Sequence, residues 1–105
     1  MSYNRKLVLH GRLGAQPGQR DALAANLLRA AAAMESVAAC RLYVVSTSES
    51  DANGVWVTEI WDSPEDHAAS LEDPETRALI GKTMPLIAEL PERAATLSIL
   101  GGKGP

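Results

Sequence analysis

Three residues near the middle of the chain combine acid–base groups with an aromatic ring. Glu59 and Trp61 are two residues apart, and His67 follows six residues later. A carboxylate or an imidazole can take a proton from a substrate, and an indole can stack on a flat ligand or donate its N–H. We therefore select these three as candidate catalytic residues, with the His67 imidazole as the first candidate for the base. The structural alternatives are a core aromatic, a solvated histidine, and a glutamate paired with Arg12 or Arg41.

Three further side chains are candidates for binding a substrate. Tyr43 and Ser70 carry hydroxyl groups, and Ser70 shares a helix face with His67 because the two residues are three apart. His10 lies in the middle of a predicted strand. Ordinary packing or hydrogen bonding within the fold is the alternative for each of them. The single cysteine, Cys40, is interpreted as a small apolar filler.

The composition indicates one globular domain and argues against two classes of site. The 105 residues are 46% hydrophobic and 22% charged, so we treat 1–105 as one domain with a flexible tail at 101–105. The net charge of −3 provides no basic surface for nucleic acid. Two histidines and one cysteine, in three separate segments, give no metal-ligand spacing. We expect neither a nucleic-acid partner nor a bound metal.

The sequence has no segment that predicts export or membrane insertion. No apolar run approaches the roughly 20 residues of a membrane-spanning helix, and the first residues lack a signal-peptide core. A single cysteine cannot form an internal disulfide, which suits a reducing compartment. We therefore expect a cytoplasmic protein.

Alternation of apolar residues with period two predicts four strands. The first is followed by a Gly/Pro cluster that we expect to end it. The second and third are joined by a polar loop in which Asn53 and Gly54 suit positive φ. The predicted strands are 6–13, 40–47, 55–61 and 95–100.

Helical spacing predicts a long alanine-rich helix over 19–36, with Leu23, Leu27 and Met34 on one stripe. Two short helices follow the third strand. The first begins at Ser63 with a serine cap and a proline in the first turn, and the second begins at Asp73 with the same signals.

A proline near the end of the second short helix predicts a break. Pro85 cannot donate the backbone hydrogen bond that a continuous helix would require. We therefore expect a kink or an end there.

The element order strand, helix, strand, strand, helix, strand predicts a ferredoxin-like α+β fold with a four-stranded antiparallel sheet. Right-handed connections then place the first and third strands in the middle. Helices cover one face of this sheet, yet apolar residues occupy both faces of the strands. A face of roughly 400 Å² is large for a monomer to expose, so we expect a homodimer formed by sheet-to-sheet packing.

Two local motifs resemble a known family. Residues 59–67 contain a Glu-x-Trp strand end followed by an acidic helix start, and residues 40–43 read Cys-x-x-Tyr. A Pro-Gly pair at 17–18 precedes the long helix. With these motifs the sequence resembles, over nearly its whole length, the antibiotic biosynthesis monooxygenases, a quinol monooxygenase family of the dimeric α/β-barrel superfamily. Two departures are Ala39, where the family has glycine, and Ser70, where many members have histidine.

The resemblance implies a dimeric α/β barrel and, for some members, oxidation of a quinol or polycyclic phenol by O₂ without a cofactor. The substrate is then the reductant, so the protein needs a water-poor pocket for an aromatic ligand, a base and a hydrogen-bond donor. A non-catalytic dimeric module that binds a small apolar ligand is the alternative. A third interpretation is an isomerase or lactonase on the same scaffold. Heme degradation is disfavoured because Ser70 and Ile80 stand where that branch needs tryptophan and histidine.

Overall fold

Apart from one additional short strand, the strands and helices follow one another in the order that the hydrophobic pattern predicts. The computed structural model describes residues 6–91 and 95–104, and it confirms the ferredoxin-like α+β class. In chain order the elements are β1 (Leu7–Ala15), α1 (Arg20–Ala33), a 3₁₀ turn (Met34–Ser36), β2 (Cys40–Ser48), β3 (Asp51–Trp61), α2 (Pro64–Ser70), α3 (Pro74–Thr83), a second 3₁₀ turn (Met84–Leu86), β4 (Ile87–Glu89) and β5 (Ala95–Ser98).

The first and third strands lie in the middle of the sheet, as predicted. β3 pairs with β2 on one side and with β1 on the other, and β1 then pairs with both β4 and β5. All of these pairings are antiparallel. In this register Glu59 of β3 lies between Leu9 of β1 and Tyr43 of β2. A carboxylate therefore stands in the centre of the sheet rather than at an edge.

The helices pack on one face of the sheet, here called the helix-covered face. Leu23 and Leu27 of α1 bury their side chains against Val55 and Ala15, and these four residues form the core cluster. Strand side chains alternate between the two faces. The helix-covered face therefore carries Leu7, Leu9, Leu13, Tyr43, Val45, Val55, Val57, Glu59 and Trp61.

The opposite face, here called the open face, is largely apolar. Val44 and Leu97 are 43% and 52% exposed on it, whereas Ile60 is buried among its neighbours in the sheet. Arg12 places its guanidinium 5.9 Å from the centre of the Trp56 ring on this face. The full set is Val8, His10, Arg12, Leu42, Val44, Trp56, Thr58, Ile60 and Leu97.

The end of β1 differs from the prediction. The strand continues through Gly14 to Ala15 because β4, which the sequence pattern did not predict, pairs with it there. A Cβ at Gly14 would lie 2.9 Å from the Cβ of Glu89, so the close approach of these strands requires glycine. The predicted break at Pro85 is confirmed, since α3 ends at Thr83 and a 3₁₀ turn follows.

The loop between β2 and β3 is shorter than predicted. The turn is confined to residues 49–50, and β3 begins at Asp51. The expectation of positive φ at Asn53 and Gly54 is wrong: among the described residues only Gly18, Gly102 and Gly104 have positive φ. Instead Asp51 Oδ1 accepts hydrogen bonds from the backbone N–H groups of Asn53 and Gly54, at 3.2 and 2.9 Å.

The predicted tail is described as far as Gly104, and residues 101–104 are exposed. Pro105 lies outside the described residues. Within the described ranges, no helix has the length and apolar character needed to cross a bilayer.

Candidate functional site

Two candidate catalytic residues are joined directly on β3. The Trp61 indole nitrogen donates a hydrogen bond to Glu59 Oε1 at 2.9 Å. Because the two residues are two positions apart on one strand, both side chains lie on the helix-covered face. Trp61 is only 1% exposed, whereas Glu59 is half-buried. The indole therefore fixes the carboxylate and is itself too enclosed to stack on a ligand.

The third candidate, His67, lies on α2, and its ring contacts the ring of Trp61. Its ring centre lies 5.4 Å from that of Trp61, with the two planes at 64°. The serine cap predicted for this helix is present: Ser63 Oγ accepts a hydrogen bond from the Asp66 backbone N–H at 3.1 Å. Helix α2 thus begins three residues after Trp61 and places His67 in an edge-on contact with its ring.

Tyr43 joins this group from β2. It pairs directly with Glu59 across the two strands, and it is half-buried. Burial raises the pKa of the Tyr43 hydroxyl strongly, and the nearby Glu59 carboxylate raises it further. Burial and Glu59 also raise the pKa of the Cys40 thiol. Both groups stay protonated at neutral pH, so Tyr43 is available as a hydrogen-bond donor.

The other two predicted binding residues are placed differently. The hydroxyl of Ser70 donates to the His67 carbonyl oxygen at 2.6 Å, within α2. His10 is exposed on the open face, where its Nδ1 lies 2.9 Å from Thr58 Oγ1. In one protomer the sheet therefore separates His10 from Glu59. The structure brings together Glu59, Trp61, His67 and Tyr43, with Ser70 one helical turn away.

The arginines considered as partners for Glu59 pair with other carboxylates. Arg12 Nε lies 2.7 Å from Asp51 Oδ2, and Arg41 Nε lies 2.7 Å from Asp62 Oδ1. These pairs hold the pKa of both aspartates at about 2, chiefly through the hydrogen bonds from arginine. Pairing of Glu59 with Arg12 or Arg41 is therefore wrong, and its described partner is the Trp61 indole.

Asp62 binds two basic residues at the end of the sheet that carries the candidate site. Its Oδ1 also accepts a hydrogen bond from Lys6 Nζ at 3.0 Å. Lys6 directly precedes β1, Arg41 belongs to β2, and Asp62 directly follows β3. One carboxylate thus fixes three neighbouring strands beside Trp61.

A shallow groove of about 390 Å³ runs between the end of α1 and β2. Tyr43 is the one predicted site residue that lines it. Leu28, which also lines the groove, is 56% exposed. Sequence reasoning missed Leu28, although a leucine outside the Leu23–Leu27 stripe is the pattern that could have indicated a second apolar surface on α1. The lining residues are Leu28, Ala31, Ala32, Met34, Glu35, Cys40, Arg41, Leu42 and Tyr43.

Across 6–91 and 95–104, no three His, Cys, Asp or Glu side chains are grouped so that they could hold a metal ion. The chemistry available at the candidate site is that of a carboxylate, an imidazole, a phenol and an indole N–H.

Comparisons of sequence and of structure both relate this chain to antibiotic biosynthesis monooxygenases. A sequence profile described as antibiotic biosynthesis monooxygenase matches residues 7–82. The "putative antibiotic biosynthesis monooxygenase" of Chloroflexus aurantiacus J-10-fl is 40% identical, with a TM-score of 0.84 over 94% of this chain and 97% of that one. A Deinococcus radiodurans structure of the same description is 23% identical, with a TM-score of 0.73 over 93% and 94% of the chains.

A protein of unknown function from Nitrosomonas europaea has the same fold, at 23% identity and a TM-score of 0.77 over 98% of this chain and 97% of that one. No curated protein matches the chain significantly.

Proposed function

The chain belongs to the antibiotic biosynthesis monooxygenase family, and from this premise we propose that it oxidises a quinol or polycyclic phenol with O₂ and without a cofactor. The observation that carries the proposal is the position of Glu59. Its carboxylate stands among apolar side chains on the helix-covered face and is held by an indole N–H rather than by a described cation. Glutamate is mostly exposed in folded proteins, so a half-buried carboxylate in an apolar layer is a candidate functional group.

Glu59 is the proposed base. An anthrone, with a CH₂ group between aromatic rings, is the simplest substrate to consider. Loss of one proton to Glu59 leaves an electron-rich anion that can pass an electron to O₂. Combination of the two radicals and reprotonation give a hydroperoxide, and loss of water leaves a ketone. One oxygen atom enters the substrate and the other leaves as water, so that CH₂ and O₂ become C=O and H₂O.

The neighbouring groups supply the other requirements. Tyr43 keeps its proton and can donate to the oxygen of the substrate anion, where negative charge develops. His67 is the second acid–base group, suited to protonating the departing hydroxide. Trp61 holds the carboxylate in place. Ser70 fixes the carbonyl of His67 and is the weakest candidate for direct contact with a substrate.

The groove beside Tyr43 is the proposed binding place of the aromatic ring. Its helix side is formed by Leu28, Ala31 and Ala32, and its strand side by Cys40 and Tyr43. Tyr43 lines the groove and also pairs with Glu59 across β2 and β3, so the groove borders the strand next to the one that carries the base. Small alanine side chains leave room for a flat ring.

The proposed assembly is a homodimer in which two open faces pack together. Val44, Leu97 and Trp56 lie on that face with apolar surface partly exposed to solvent. Packing two such sheets removes this surface from water, and exposed apolar patches of this kind are typical of interfaces. His10 would then lie in the interface rather than in the substrate site.

A non-catalytic binding module is the second candidate function. The enclosure of Trp61 favours it, because the indole is 1% exposed and cannot stack on a ligand in this conformation. The groove and the open face would serve such a module equally well. The two functions differ in turnover and not in binding.

Oxygen uptake by purified protein separates these functions. The protein, freed of metals and flavins by chelation and gel filtration, is mixed with a panel of reduced naphthoquinones and anthrones in an oxygen electrode. Uptake above the uncatalysed rate, with one ketone formed per O₂, supports the monooxygenase. Ligand binding by fluorescence titration without uptake supports the module, and product formation under argon indicates an isomerase or lactonase.

A further inference from the structure

The segment between Trp61 and His67 contains a reciprocal pair of hydrogen bonds between Ser63 and Asp66. Ser63 Oγ accepts from the Asp66 backbone N–H at 3.1 Å and donates to Asp66 Oδ2 at 2.8 Å. The His67 backbone N–H donates to the Ser63 carbonyl oxygen at 3.3 Å. The backbone and the side chain of Ser63 thus hold two successive residues of the first turn of α2.

Helix α2 depends strongly on this cap. It has only seven residues, and a helix of that length is not stable alone in water. None of its residues is buried, so packing of an apolar face contributes little to holding it in place. His67 lies at the end of the first turn, where loss of a cap allows fraying.

We infer that Ser63 is a positioning residue that holds the His67 imidazole against Trp61. This inference rests on the proposed function, since positioning matters for catalysis only if His67 takes part in it. The chain of contacts runs from the Asp62 ion pairs, through Ser63 and its bonds to Asp66, to the ring of His67. Without the hydroxyl of Ser63, α2 would keep its sequence and lose the fixed start that directs His67 toward the site.

The chain offers a matched control in the next helix. Asp73 caps α3 in the same way, and its Oδ2 accepts from the Thr76 backbone N–H at 3.0 Å. Asp73→Ala therefore removes one cap from a helix without touching Ser63, Asp66 or His67. Ser63→Thr keeps a hydroxyl at the α2 cap and is the conservative variant that should restore function.

The test combines proton NMR of the histidine rings with turnover measurements. The sequence has two histidines, so His10 on the open face provides an internal reference. In the wild type the ring current of Trp61 displaces the His67 ring signals, and Trp61→Leu gives their undisplaced position. We expect Ser63→Ala to shift these signals toward the Trp61→Leu position and to lower kcat about tenfold, the scale set by one N-cap hydrogen bond.

Two further results support the inference: recovery of signals and kcat in Ser63→Thr, and no change of either in Asp73→Ala. Unchanged His67 ring signals in Ser63→Ala would overturn the inference. It would also be overturned if Asp73→Ala shifted these signals as much as Ser63→Ala does, because both variants would then loosen the fold in general. If the wild type consumes no O₂, the proposed function fails. The shift in the NMR signals then still decides whether Ser63 places His67.

Discussion

Trp61 donates its indole N–H to the carboxylate of Glu59, two residues earlier on the same strand, at 2.9 Å. The two side chains are neighbours on the helix-covered face, one fully buried and the other half-buried. A hydrogen bond to an ionised group in such surroundings is worth more than one between neutral groups. The fold thereby keeps a carboxylate in an apolar layer at a fixed orientation.

This relationship predicts a measurable coupling between the two residues. Trp61→Phe keeps an aromatic ring and removes the donor, so the free energy of unfolding should fall by about 1–3 kcal/mol. In a double-mutant cycle with Glu59→Gln, urea unfolding should give a coupling energy of about 1 kcal/mol or more. Trp56→Phe on the open face is the control and should show no coupling to position 59. A coupling near zero for the pair would mean that the hydrogen bond does not hold Glu59.

Position 57 tests which face of β3 is covered. Val57 packs against the core cluster, so Val57→Asp places a charge among apolar side chains. The free energy of unfolding should fall by about 1–3 kcal/mol, because a charge without a partner is penalised even at a partly buried position. Urea unfolding followed by circular dichroism measures the change. An unaltered midpoint would show that the faces are assigned incorrectly.

The same substitution on the other face tests the dimer. Val44 is 43% exposed on the open face, so Val44→Asp should leave the fold of each protomer intact. It should weaken dimerisation at least about a hundredfold, since a charge would be buried in the interface. Light scattering at micromolar concentration should give a dimer mass for the wild type and a monomer mass for the variant. A monomeric wild type would contradict the proposed sheet-to-sheet packing.

The ion pairs of Asp62 predict an acid-dependent stability. Arg41 and then Lys6 lower the pKa of this carboxyl to about 2, below the roughly 3.9 expected in the unfolded chain. The carboxylate therefore stabilises the folded state fully above the unfolded pKa, and this contribution is lost as the pH falls toward 2. Wild type should melt at a higher temperature than Asp62→Asn at pH 7, and the difference should shrink steadily as the pH falls from about 4 to 2.

The control for that comparison is Glu49→Gln, which changes a carboxylate in the exposed turn between β2 and β3. Its melting temperature should follow the wild type at every pH. A gap between wild type and Asp62→Asn that persists undiminished at pH 2 would show that the ion pairs are not its cause.

Local sequence signals predict the placement of several candidate residues that the structure shows. The alternation along β3 places Glu59 and Trp61 on one face, and the Ser-Pro-x-Asp start of α2 gives the observed cap at Ser63. Both features depend on residues a few positions apart, where backbone geometry alone decides the contacts. The break at Pro85 follows from the same kind of local rule.

Other features depend on particular side-chain contacts that the spacing of residues along the chain does not predict. Glu59 has no arginine partner at Arg12 or Arg41 because Asp51 and Asp62, at the two ends of β3, bind those arginines. Residues 53–54 extend a strand because the side chain of Asp51 satisfies their N–H groups.

Strand β4, at the other end of the sheet, likewise depends on a contact that the local sequence does not predict. Three residues are too few for periodicity to reveal a strand, and its pairing depends on the absence of a side chain at Gly14.

The role proposed for the Glu59 carboxylate is that of the base in an O₂-consuming reaction. Its most direct test is the turnover number of Glu59→Gln, measured by oxygen uptake with the best quinol or anthrone substrate and compared with Glu49→Gln, the same change in the exposed turn between β2 and β3. We predict a loss of about 10²- to 10⁴-fold for Glu59→Gln and an unchanged rate for Glu49→Gln. Equal rates in the two variants would contradict the assignment.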